Sequence, residues 1–340
     1  MRASDNRYFW SEAEKAVDKS ALNIVLLAHV LGPRGYTNVN QIQCSEHERF
    51  SVKEFDEIYR GIVNAGFYIS NVYFNELDFV QSFSADKSSH KNDLIYNLTR
   101  NGVGNDKKVI VPAFCDLINL KYTSSSAFSC SLCRNKYLFS KILEINNLPV
   151  PRTWLKRGDN SWLNGVPPEG LMVIAKPCSE SASQGISECS VFNFSKNNPI
   201  LCKEVLIQEY IEGYECEIPI IKLKNEIYTF PPVIIDLGQN SIMDEYISNN
   251  YKYSFIEGTE LLSQSSLEQI QYYAEKAFSV LNMRNYGRID FRVKSNGEAY
   301  IFDVSTTPYT TRHSSFAFSF EKLDLAYEDI YKAIITAAYY

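Results

Sequence analysis

The chain has 340 residues, 45% hydrophobic and 22% charged, with a net charge of −6. That length carries a sizeable core in two or three domains. No basic stripe points to nucleic acid, no run of about 18 apolar residues marks a membrane span, and the first twenty residues hold no apolar signal segment. Cytoplasmic location is the expectation.

Residues 21–31 form an apolar run that reads as a buried strand, and 52–66 carry apolar positions at helical spacing. Residues 67–74 and 93–99 read as further strands and 109–120 as a helix, so the first 122 residues suggest a parallel α/β domain. Residues 121–131 are small and polar and read as a linker. A helix over 135–147 follows, then strands over 171–177, 204–211, 214–223 and 227–235. A helix over 266–282, a hairpin and a last helix over about 321–338 complete an α+β second half with a largely antiparallel sheet. Of the eight cysteines, Cys130 and Cys133 form a C-x-x-C; one such pair in a chain with four histidines reads as packing before zinc or redox chemistry.

The hairpin carries the first chemistry. In "GRIDFRVKSNGEAYIFDVSTTP" (287–308), Asn296-Gly297 signals a two-residue turn. Pairing outward from Ser295 and Glu298 sets Asp290 opposite Asp303 and Arg288 opposite Ser305, all on one face. Facing carboxylates repel. They can be a structural pair neutralised by Arg288 or Arg292, an acid/base dyad, or ligands of a divalent metal. Arg288 and the Ser305 hydroxyl on that face favour metal with phosphate. Lys176 ends a strand that opens into the serine-rich loop "KPCSESASQG", which can present backbone N–H groups and a point charge to phosphate.

In order and spacing, Lys136 with "LPVP", "VIAKPCSESASQGIS", "VLIQEYIEGYE" and "GRIDFRV…YIFDVSTTPYTTRHS" resemble the ATP-grasp fold, in its D-alanine–D-alanine ligase branch, over roughly residues 93–320. The resemblance implies α/β plus α+β architecture: an N-terminal domain at 1–122, a central ATP-grasp subdomain at 123–204 and a C-terminal one at 205–340. It implies ATP with Mg²⁺ or Mn²⁺, with Lys136, Lys176 and Ser183 at the phosphates. Glu209, Tyr210 and Ile211 fall beside adenine and Glu215 at the ribose. Asp290, Asp303 and Ser305 hold metal, Arg288 steadies the tetrahedral intermediate, and His313 and Ser314 receive the second substrate's carboxylate. Lys252 and Tyr253, in the covering loop 241–255, are its candidate active members.

The resemblance has departures. Asp303 stands where the family usually has Glu, and Ser305 where it has Asn. Tyr309 follows Pro308 in place of Gly and brings a ring near the second amino acid. The loop serine of the family looks replaced by Ala182, and its hinge glutamate by Gln208. The glutamate that grips the first substrate's amine has two candidates, Glu46 and Glu48. Most departures lie where amino acids bind. The expected activity is therefore an ATP-dependent carboxylate–amine ligase working through an acylphosphate, a biosynthetic dipeptide or amide ligase with altered substrates. The alternatives are a housekeeping D-alanine–D-alanine ligase or a catalytically impaired ATP-binding protein. Expected partners are amino-acid or peptide substrates and a second copy in a homodimer.

Overall fold

A computed structural model describes residues 9, 22–32, 48–85, 90–102, 104–197 and 204–340. The first sheet is parallel, in the order β2-β1-β3-β4, from β1 (Asn23–Ala28), β2 (Tyr68–Tyr73), β3 (Asp93–Leu98) and β4 (Lys121–Tyr122). The unbroken apolar run of β1 has a simple cause. Ile24, Leu26 and Ala28 pack with Ile58 and Ile62 of α1 (Val52–Asn64) in one cluster. Val25 and Leu27 pack on the other side with Phe79 and Phe83 of α2 (Glu76–Ala85) and with Val111 and Cys115 of α3 (Ile110–Ile118). A parallel strand covered on both faces has no polar side to show. Ser51 starts α1 with a reciprocal capping box to Glu54.

The expected linker at 121–131 contains β4 and the start of a helix. Here α4 runs Ala127–Arg134, capped by Ser126, and α5 follows at once over Lys136–Ile145, capped by Asn135. Its small residues hide the helix from a hydrophobic-period reading, because Ser129, Cys130 and Cys133 are its buried face. Both thiols are free, and burial pushes both upward in pKa.

The central sheet is antiparallel, in the order β6-β5-β9-β7-β8, from β5 (Thr153–Lys156), β6 (Trp162–Leu163), β7 (Met172–Pro177), β8 (Val191–Asn193) and β9 (Val205–Glu209). β9 pairs with β5 and β7, so Val205–Glu209 lies within the central sheet. The third sheet runs β13-β12-β10-β14-β15 with β11 also on β10, from β10 (Tyr214–Leu223), β11 (Glu226–Thr229), β12 (Val233–Asp236), β13 (Ser254–Glu257), β14 (Tyr286–Val293) and β15 (Ala299–Ser305). The strand expected over 227–235 is thus two strands, broken at Pro231-Pro232, which cannot donate to a ladder.

Within the covering loop lie α6 (Glu245–Asn249) and the start of β13, and α7 (Gly258–Leu261) leads on to α8 (Gln264–Val280). One face of the third sheet is apolar: Ile218, Ile220, Ile289, Phe291 and Ile301 pack against Ile270, Ala274 and Phe278 of α8. The alternate residues of β10 and β14 are the charged ones. The expected final helix is α10 (Tyr327–Tyr339), starting six residues later than read; α9 (Ser315–Glu321) precedes it, and α10 packs against α1 in the first core.

Candidate active site

A cavity of about 470 Å³ opens between the three sheets, lined by Lys136, Lys176, Glu215, Arg288, Asp290 and Asp303 among others. The hairpin β14–β15 supplies its floor. Asp290 pairs with Asp303 and Arg288 with Ser305, as expected, but by another route. The turn is one residue longer: Lys294 N–H donates to Glu298 O at 2.8 Å, so Val293, not Lys294, pairs with Ala299. A β-bulge between Asp290 and Phe291 restores the count by leaving Phe302 unpaired. Phe302, Asp303 and Val304 line the cavity, while Ile301 stays in the core.

Charge organises this floor. Arg288 donates to Asp290 in a two-pronged pair, Nε to Oδ1 at 2.7 Å and Nη2 to Oδ2 at 2.8 Å, and reaches Glu217 Oε1 at 2.9 Å. Burial pushes the Asp290 and Glu217 carboxyls up, against the pull of Arg288. Glu215 is pushed up to about 7 by burial, with Arg292 opposing at 3.8 Å. Asp303 lies below its usual range despite burial, because Lys136 and Lys176 face it. The Lys136 ammonium is 3.5 Å from Asp303 Oδ1 and donates to Glu180 O at 2.7 Å. Lys176 donates to Phe302 O at 3.3 Å, and its pKa falls to about 8, chiefly from burial.

The strand–loop junction Glu209, Tyr210 and Ile211 lines the cavity beside Lys176. Ile211 O accepts from Arg292 Nε at 3.0 Å, and Tyr210 OH donates to Ser241 O at 3.1 Å. Ser183 lies in the loop after β7, which also lines the cavity, and both Ala182 and Ser183 are left-handed, at φ +53° and +54°. His313 sits among the rings of Tyr251, Tyr253 and Phe255, and burial keeps its imidazole below its usual pKa. Ser314 donates to Thr311 O at 2.6 Å and caps α9. Tyr309 packs edge-on against Phe50, with the Arg100 guanidinium 5.3 Å from its ring centre. Lys252 is absent from the lining; its ammonium rests over the Tyr246 ring at 4.3 Å, while Tyr253 does line the cavity.

Several residues of the site went unread in the sequence. Glu217 lies opposite Asp290 on β10, and the alternation Glu215-Cys216-Glu217 could have shown both acids on one face. Of the two amine-gripping candidates, Glu46 lies outside the described residues. Glu48 is buried at the cavity wall, hydrogen-bonded to the Ser181 hydroxyl. The serine beside this glutamate is therefore Ser181, one position before Ala182. Arg134 and Lys107 complete the group, at 3.1 Å and 3.0 Å from Glu48. Burial opposes ionisation of Glu48, but Arg134, Lys108 and the Ser181 hydrogen bond draw its pKa down to about 2. No local pattern marks these positions, because they meet only in space.

The donor set suits a hard divalent cation held partly by its ligand. Among the described residues no three acidic, cysteine or histidine side chains converge on one point. Asp290 and Asp303, facing across one ladder, offer carboxylate oxygens, and Ser305 a hydroxyl. A cation held there would need further oxygen ligands from phosphate and water, the habit of Mg²⁺ at nucleotide sites.

Three sheets around one charged cleft, with lysines facing acids across it, define an ATP-grasp protein. The sequence model of the family described as D-ala D-ala ligase C-terminus matches residues 152–336, and the chain belongs to that family. It is an ATP-grasp ligase. A D-alanine–D-alanine ligase of Thermotoga petrophila is 25% identical over 308 residues, 87% of this chain and 94% of that one. One from Cupriavidus taiwanensis is 24% identical over 238 residues, 67% of this chain and 71% of the relative. The crystal structure of D-alanine–D-alanine ligase from Bacillus anthracis complexed with ATP shares the fold, with a TM-score of 0.67 and 18% identity over 94% of this chain and 97% of that one. Among the described residues no helix is long and apolar enough to cross a membrane.

Proposed function

We propose that the chain is an ATP-dependent ligase of the D-alanine–D-alanine type, joining the carboxylate of one amino-acid-like substrate to the amine of another. The observation that carries this reading is Lys136 set 3.5 Å from Asp303, across from Asp290. Cations and metal-binding acids thus converge where a γ-phosphate would be transferred. A carboxylate is a poor electrophile, and phosphorylation to an acylphosphate gives the amine something to attack. Asp290, Asp303 and Ser305 would hold Mg²⁺, which supplies neutralising charge at the β/γ oxygens. Lys136 and Lys176 would bind phosphate oxygens. Arg288, held by Glu217 as well as Asp290, would meet the charge of the tetrahedral intermediate.

Two substrate readings remain inside this activity. The names of the relatives favour D-alanine on both sides. A specialised substrate pair draws on Tyr309, whose ring packs on Phe50 at the cavity wall, and on the charge surplus treated below. ADP release by purified protein with ATP and Mg²⁺, over D- and L-amino acids singly and in pairs, separates them. A product mass equal to the pair minus water establishes the ligase. D-alanine alone sufficing selects the first reading. ATP binding with no release across the panel would overturn the assignment of turnover.

A further inference from the structure

The corner of the cavity beside Glu48 carries more positive charge than its own side chains balance. Among the described residues, Lys107 pairs with Glu48 at 3.0 Å and Glu180 at 2.7 Å, and Arg134 with the same two at 3.1 and 3.5 Å. Two cations thus meet two carboxylates. Arg100 and Lys108 line the same corner and enter no ion pair there. Arg49 and Glu54, also on the lining, add one charge of each sign. Among the described residues the surplus is therefore two formal positive charges.

We propose that the first substrate of this ligase is a diacid whose spare carboxylate sits against Arg100, Lys108 and Arg134. The inference rests on the ligase reading and deepens its second substrate reading. Donors wait there unused. Arg100 spends Nη1 on Thr307, at 3.0 Å to O and 2.6 Å to Oγ1, while its Nη2 is buried with no partner. Arg134 Nε is likewise buried and unpartnered. Leaving a guanidinium N–H dry and unpaired is costly. A carboxylate accepting from the two guanidinium groups satisfies both.

Lys108 sits in the left-handed region at φ +66°, an uncommon place for a side-chain-bearing residue, and its N–H donates to Asn101 O at 2.8 Å. That backbone has a cost, and here it holds Lys108 at the cavity wall. Burial and the neighbouring Arg100 and Arg134 hold its pKa well below the ordinary lysine value. An anion beside it would reverse that shift. D-alanine, a zwitterion, brings no net charge to this corner and leaves the surplus standing. Glu48, already held by Lys107, Arg134 and Ser181, has less to offer an ammonium.

The test is calorimetric binding of glutarate, D-glutamate, D-aspartate and D-alanine to the full chain, with and without a non-hydrolysable ATP analogue and Mg²⁺. The expected result is at least about tenfold tighter binding of one of the diacids than of D-alanine, with the analogue present. Lys108→Met and Arg100→Gln should each weaken that diacid about tenfold and leave analogue affinity unchanged. Lys108→Met should also melt no lower than the parent, since it removes a half-buried cation crowded by Arg100 and Arg134, so its loss of binding is not a loss of fold. D-alanine binding as tightly as every diacid would overturn the proposal, as would variants that weaken all ligands equally. Diacid binding lost whenever the analogue is present would overturn it too, because the cations would then serve the nucleotide. Diacid binding without ADP release from any pair supports the subsite and overturns the ligase reading. ADP release from D-alanine with no diacid binding does the reverse.

Discussion

Lys176 donates to the carbonyl oxygen of Phe302, the residue of β15 that has no partner across its hairpin. The bulge therefore does two things at once. It returns Asp303 to register with Asp290, and it turns a free carbonyl toward the central sheet, whose β7 carries the lysine. A regular ladder would have spent that carbonyl on β14.

This separates backbone from side chain at position 302. Phe302→Ala keeps the carbonyl and loses only the ring that Lys176 overlies at 5.2 Å, a change of about 0.5–1 kcal/mol. Deleting Phe302 straightens the ladder, leaves Asp290 opposite Asp303 and removes the acceptor. ATP-analogue affinity should fall about tenfold in the deletion and far less in the alanine variant. Equal losses in the two would show that the carbonyl plays no part.

Asp303 is the acid that Lys136 and Lys176 both face. If Asp303 binds metal as proposed, Asp303→Asn should cut ADP release at least about 100-fold, since a carboxylate is lost where charge builds up. Ser305→Asn should lower the Mg²⁺ concentration needed for half-maximal release, because an amide oxygen is a better ligand than a hydroxyl. Mg²⁺ titrations of both variants would show this, and an Asp303→Asn enzyme with normal turnover would remove Asp303 from the metal site.

Glu215 gives a pH test with a definite sign. Its carboxyl titrates near 7 in the fold and near 4.5 when unfolded. Between those values the folded state holds a proton that the unfolded chain has released, so stability from this group falls as pH rises from about 4.5 to 7. Below 4.5 both states are protonated and no penalty applies. Glu215→Gln mimics the protonated form. It should match the parent at pH 4 and exceed it at pH 7.5 by on the order of 1–3 kcal/mol in denaturant melts without ligand. A variant less stable than the parent at pH 7.5 would mean that the pairing with Arg292 outweighs burial.

Glu48 holds two buried cations in place. Glu48→Ala leaves Lys107 and Arg134 with Glu180 as their one carboxylate among the described residues and should cost at most about 3–5 kcal/mol. Glu48→Ala with Lys107→Met should recover part of that cost, because two cations no longer share one carboxylate. Urea unfolding of the single and double variants decides it. A single-variant loss under about 1 kcal/mol would show that water reaches the pair freely.

The chain's own pattern was enough for much of this. β1 was legible as a strand buried on both faces because an unbroken apolar run at that length has few other uses. The two hairpin acids were legible because side chains on a strand alternate with period two, so that Asp290 and Asp303 share a face once the pairing count is right. The count came out right with the wrong turn, since a longer loop and a bulge offset each other. Local pattern cannot see that, because a bulge is chosen by what packs above and below the strand. Helix α4 escaped for a related reason: its buried face is serine and cysteine, and only the neighbours it packs on make that face a core.

Tertiary structure alone decided which charges meet. Glu48, Lys107, Arg134 and Ser181 come from four separate stretches of chain, and nothing in any stretch foretells the others. Lys252 reads as a candidate by position, yet the fold turns it onto Tyr246 and lines the cavity with Tyr253. Sequence carries the period of each element and the chemistry of each side chain. The distances on which electrostatics depend exist only after the sheets have packed.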